Sequence, residues 1–98
     1  MSLERTHHLK CHPQFFGDVV AGIKTFDVRK DDRGFVEEDE LVLYQWPQPG
    51  IPPHEFASVS YRLPQHRVRV AYILRGGDFG IERGYVVLGL APVEDEPE

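Results

Sequence analysis

The chain has 98 residues and a mass of 11.3 kDa, which is room for one small domain with one core. Hydrophobic residues at 41% and charged residues at 28% exclude disordered and collagen-like classes. A single cysteine, Cys11, excludes an intrachain disulfide, no apolar run approaches the ~20 residues of a membrane helix, and the first residues lack a signal-peptide core, so the expected setting is cytoplasmic with no membrane partner.

In chain order, His7 to Cys11 reads as a short strand. Pro13 then suits a first helical turn, and Phe15, Phe16, Val19 and Val20 share one helical face up to the stop at Gly22, which predicts a helix over 13–21. Lys24 to Arg29 alternates as a strand, with Phe26 and Val28 on one face and Thr25, Asp27 and Arg29 on the other. Asp31 to Gly34 has turn chemistry. Glu40 to Trp46 is a further strand, Pro47 to Pro53 a proline-rich loop, and Phe56 to Tyr61 a weak strand. Arg67 to Leu74 is a strong strand broken by Gly76-Gly77-Asp78. Gly84 to Leu90 is nearly continuous in apolar residues and is expected to be buried on both faces. The sum is an α+β, mainly β domain of five or six strands with a short helix near the N-terminus, for which closure into a small β-barrel removes exposed edges.

The formal net charge of −5 argues against a nucleic-acid partner only until its distribution is read. Glu37 to Glu40 and Glu94 to Glu98 each carry −4, which leaves the rest of the chain at +3. A local basic face on an acidic protein is physically ordinary. The densest polar constellation is Gly22-Ile23-Lys24-Thr25-Phe26-Asp27-Val28-Arg29-Lys30. Arg29 offers a planar fork to phosphate or a base edge, Asp27 shares its strand face, and Lys24 adds a compact charge. The plainer reading is a surface ion pair.

The run Leu9-Lys10-Cys11-His12-Pro13-Gln14-Phe15-Phe16, followed by Gly22 to Phe35, resembles a bacterial and phage family of unknown function within the ASCH group of the PUA-like superfamily. Asp39 to Trp46, Tyr72 to Gly77 and Gly84 to Gly89 continue the likeness. It covers residues 7–91, leaving 1–6 as an N-terminal extension and 92–98 as an acidic flexible tail. The resemblance implies a PUA-like (ASCH) β-barrel with a cleft between barrel and helix, and a ligand that is RNA or a nucleotide-sized fragment. Some ASCH proteins resemble amidohydrolases that deacylate N(4)-acetylcytidine. Under that alternative Lys24 is the catalytic base, Asp27 stands where the enzyme has its hydroxyl nucleophile, and Glu82 is the candidate distant acid. ASCH members more generally carry glutamate at the Asp27 position, and the family's usual glycine before Asp39 is here Glu38.

Around Lys24, Asp27 and Arg29, three further residues are candidates for ligand binding. Lys10 flanks the helix start, Arg75 precedes Gly76-Gly77 where it can close over a ligand, and Trp46 ends its strand where it can stack on a base. Their plainer readings are a strand-end lysine, a turn-stabilising arginine and a core tryptophan. Arg67 and Arg69 share a strand face and form a second basic set that suits phosphates or a solvated edge. His7, His8, Cys11 and His12 lie close together, but in a strand His8 points away from His7 and Cys11, so no metal is expected; no cofactor is implied. A protein-interaction role for the proline-rich loop around Trp46 is a further alternative.

Overall fold

Strand alternation and one helical turn pattern resolve into a single curled sheet. The structure, a computed structural model, describes residues 5–93. The elements are β1 (Thr6–Cys11), α1 (Pro13–Val20), β2 (Phe26–Lys30), β3 (Glu40–Gln45), α2 (Phe56–Val59), β4 (Gln65–Arg75) and β5 (Tyr85–Pro92). The protein is α+β and mainly β, as its sequence predicts. Thr6 already belongs to β1 and Pro92 still belongs to β5, so the folded unit runs past both ends of the 7–91 span. The acidic run Glu94 to Glu98 lies outside the described residues.

The sheet has five strands in the order β1-β3-β4-β5-β2. β1 and β3 are parallel and all other neighbours are antiparallel. The sheet curls until its outermost strands, β1 and β2, face one another, but no ladder joins them among the described residues. Side chains bridge the seam instead. The carbonyls of Arg5, just before β1, and of Cys11, at its end, bond towards β3, so by alternation those of His8 and Lys10 point the other way. Arg29 donates to Lys10 O at 3.1 Å, and Arg33 donates to His8 O at 3.4 Å. On β2, Lys24 Nζ donates to the equally outward Phe26 O at 2.8 Å. The result is barrel-like with a guanidinium-laced seam.

α1 starts where its sequence says it should. The imidazole of His12 accepts from Gln14 N at 3.2 Å, and Pro13 occupies the first turn, where its missing N–H costs nothing. It ends in a Schellman motif: Ile23 N reaches Asp18 O, Gly22 N reaches Val19 O, and Gly22 takes φ 77. Phe16 and Val19 drop into the main core beside Leu9, Cys11, Leu41 and Leu88.

Two expectations are corrected. Phe56 to Tyr61 is helical rather than a strand, α2 being flanked by 3-10 turns at Pro53–Glu55 and Ser60–Arg62. Phe56, Val59 and Leu63 recur at helical spacing and cover Val42, Tyr44 and Trp46, forming a second core on the outer face of β3. β5 is buried on its inner face only: Val86 and Leu88 are buried, while Val87 and Gly89 are half-exposed. The β4–β5 turn depends on Gly76, where an added Cβ would meet Glu82 O at 1.9 Å.

Candidate functional site

β1 and β3 end, β4 starts, β5 ends and β2 starts at one end of the sheet, and α1 lies across that end. This arrangement follows from the chain path, because α1 must carry the chain from the end of one edge strand to the start of the other. The Schellman stop turns the backbone so that Lys24 and Thr25 enter β2 beside the last turn of α1.

Lys24, Asp27 and Arg29 do come together. Arg29 Nε donates to Asp27 Oδ2 at 2.6 Å, and Lys24 Nζ lies 3.9 Å from Asp27 Oδ1. The lysine and aspartate side chains are each 17% exposed, so the group is not the solvated surface pair of the plainer reading. The strand has turned its charged face inward and its apolar face, Phe26 and Val28, outward. Lys24 Nζ also lies 5.1 Å from the centre of the Phe15 ring and 4.6 Å from that of Phe26. Behind the group, burial pushes the Cys11 thiol up, and the Asp27 charge adds to that while Lys24 and Arg29 oppose it. Cys11 is therefore a neutral core residue at neutral pH and no nucleophile.

A cavity of about 420 Å³ opens between α1, the start of β2, the start of β4 and the end of β5. Its apolar walls include Val19, Val68 and Leu90, and Lys24, Thr25, His66 and Arg67 give it a polar rim. Of the clustered triplet only Lys24 lines it. Asp27 and Arg29 stand behind, where they hold the lysine and the seam. His66 escaped the sequence reading; its parity with Val68 and Val70 was the available signal, since it places all three on the inner face.

Three proposed ligand contacts lie elsewhere. Lys10 shares the outer face with Tyr44, its Nζ 4.9 Å from the centre of the Phe56 ring, so only its backbone carbonyl belongs to the seam. Trp46 is 7% exposed and packs edge-on against Phe56, which removes it as a stacking platform and as the display of an interaction loop. Arg75 sits at the far end of β4, about 33 Å along the strand from Gln65, and clamps Asp31 Oδ2 and Phe35 O. Glu82 occupies the β4–β5 turn at that same far end. Arg67 and Arg69 are paired with Glu40 and Glu38. The N-terminal cluster is divided among other tasks: His7 bonds Asp39, His8 bonds the Tyr44 hydroxyl, Cys11 is core and His12 caps α1. No group of three or more potential metal ligands converges among the described residues.

The far end is closed. Asp39, 2% exposed, accepts from Arg5 Nε at 2.8 Å, His7 Nε2 at 2.9 Å and Val36 N at 2.9 Å. Burial alone would push this carboxyl up, but those three bonds and the Arg5 charge outweigh it and hold the group below its usual range. Phe35 fills the space beneath with no exposed surface, its ring 4.8 Å from that of His7. Glu38 takes φ 76 here, a left-handed backbone that favours glycine.

Fold and site together define a small curled-sheet domain whose helix leaves a cation-rimmed cavity at one end. Residues 6–90 match the family described as a domain of unknown function (DUF3850), and the chain belongs to that family. It is 35% identical over 46 residues to an uncharacterized 12.9 kDa protein in the GpA 3' region of Escherichia phage P2, a match covering 47% of this chain and 42% of that protein. No helix among the described residues is long and apolar enough to cross a membrane.

Proposed function

We propose that the domain binds a nucleotide-sized ligand, free or as a unit of RNA, in the cavity between α1 and the sheet, as an ASCH-like member of the PUA-like superfamily. One observation carries this reading: the cavity of about 420 Å³ combines apolar walls with the Lys24 cation at its rim. That volume is in the range of small-ligand sites, and the mixture suits a flat, weakly polar base with a phosphate beside it. Asp27 acts as a positioning residue, fixing Lys24 while itself held by Arg29. Thr25 and His66 supply polar groups of the kind that read a base edge.

The amidohydrolase alternative draws less support. Asp27 is occupied by Arg29 and does not line the cavity, Glu82 lies at the other end, and Lys24 Nζ is already engaged by Phe26 O and Asp27.

Calorimetric titration with cytidine and adenosine monophosphates tests the reading. Lys24→Ala is expected to weaken binding at least about tenfold, the size of a lost charge-assisted contact, with the fold retained by circular dichroism. Affinity unchanged in Lys24→Ala, or no binding by the parent protein, overturns it. Release of cytidine from N(4)-acetylcytidine, abolished by Lys24→Ala, would replace it with the hydrolase.

A further inference from the structure

The outer face of the sheet is covered over β3 by the segment that carries α2, whereas over β2, β5 and the second half of β4 nothing among the described residues lies on it. A bulge between Val70 and Tyr72 creates the bare part. Before it, Val68 and Val70 point inward; after it, Ile73 points inward while Tyr72 and Leu74 point out. Register then sets two rows across three strands, Phe26–Gly89–Tyr72 and Val28–Val87–Leu74. Phe26, Val28, Tyr72 and Leu74 are 46%, 49%, 64% and 36% exposed. Gly89 has no side chain to rise between the two aromatic rings, and a Cβ there would press to 3.3 Å from the Cβ of Tyr72.

Two lysines border these rows along β2, while Glu38 and Glu40, towards β3, are paired with Arg69 and Arg67. Among the described residues no acidic residue stands at an outward position of these rows. Lys30, on the same parity as Phe26 and Val28, has no carboxylate partner among the described residues, and Lys24 holds its ammonium 4.6 Å from the centre of the Phe26 ring. The two lysines are six positions apart, ~20 Å along an extended strand.

We propose that this face docks single-stranded nucleic acid, its bases stacking on Phe26 and Tyr72 and its backbone following β2 from Lys24 to Lys30. Exposed aromatic rings on a strand surface, bordered by cations and free of acids, are the elements of a sequence-tolerant stacking platform. A second copy of this chain fits less well, because a two-fold contact that lays β2 on the other copy's β2 would set Lys24 against that copy's Lys30. The proposal extends the cavity reading, sharing Lys24 with it, and would make the bound unit part of a strand rather than a free nucleotide.

Fluorescence anisotropy with labelled oligoadenylate, beside calorimetry with adenosine monophosphate, separates the two. Tyr72→Ala and Val28→Glu are each expected to weaken oligoadenylate about tenfold and leave the mononucleotide unchanged, while Tyr72→Phe keeps both. Circular dichroism checks that each variant is folded. Oligoadenylate binding that is absent, or equal in all three variants, overturns the proposal and leaves the cavity to be judged on the mononucleotide. Tyr72-dependent oligomer binding without mononucleotide binding upholds the face and removes the cavity. A concentration-dependent dimer dissolved by Val28→Glu, with oligomer binding unaltered, assigns the face to a second copy and also overturns it.

Discussion

Each end of the sheet holds one carboxylate between two basic side chains, Arg5–Asp39–His7 at one and Lys24–Asp27–Arg29 at the other. At the Asp39 end the carboxylate is central and buried, and Phe35 fills the space beside it. At the α1 end a cation is outermost and a cavity lies beside it. Similar ionic inventories thus serve a lock in one place and a receptacle in the other. What separates them is the volume left next to the charge.

The largest test of that contrast is packing. Phe35→Ala is expected to cost about 4 kcal/mol in urea denaturation, and Val20→Ala, on the cavity margin, under about 0.5 kcal/mol. Equal losses would erase the distinction. Next comes the ionic centre: Asp39→Asn is expected to cost about 2 kcal/mol at neutral pH, against under about 1 kcal/mol for Lys24→Ala. The Asp39 carboxyl is held below its unfolded value of about 3.9, so its contribution is complete above that pH and vanishes as pH falls through the lower folded value. The stability gap between the parent protein and Asp39→Asn should therefore close in strong acid, and a constant gap would show that the carboxylate's charge is not the cause.

Smaller effects sharpen the picture. Arg29→Ala removes the bonds to Asp27 and to Lys10 O and should cost about 1 kcal/mol, with faster amide exchange along β1 and β2 than in β4. Glu38→Gly should stabilise by about 1 kcal/mol in thermal unfolding, since it relieves a left-handed backbone at φ 76 and removes only an exposed pair with Arg69.

The strands were legible because alternation leaves a period-two trace whatever the tertiary setting, and α1 because His12, Pro13 and Gly22 mark its ends. Which face of β2 turns inward was not legible. Phe26 and Val28 against Asp27 and Arg29 read equally well either way round, and the charged face is the inner one through its register with Leu88 and Val86 of β5 and the bond of Arg29 to Lys10 O, both long-range. The role of Phe56 to Leu63 needed a comparison of two periods over few residues, and Pro52-Pro53 obscured it. Lys24 was found through its position after a helix stop. Trp46 and Arg75 are residue types that suit a ligand, and type does not tell a buried ring or a turn clamp from a ligand contact. His66 was missed because a single half-buried histidine has meaning only once β4 is placed against α1.

The arginine lacing has an effect beyond joining two strands. β1 is a parallel edge strand whose free carbonyls would otherwise accept the backbone of another molecule. With His8 O and Lys10 O taken by Arg33 and Arg29, the strand offers an incoming chain donors but not the alternating acceptors that fibril growth requires. Guanidinium groups thus shield this border, where no ladder forms among the described residues, from self-templating.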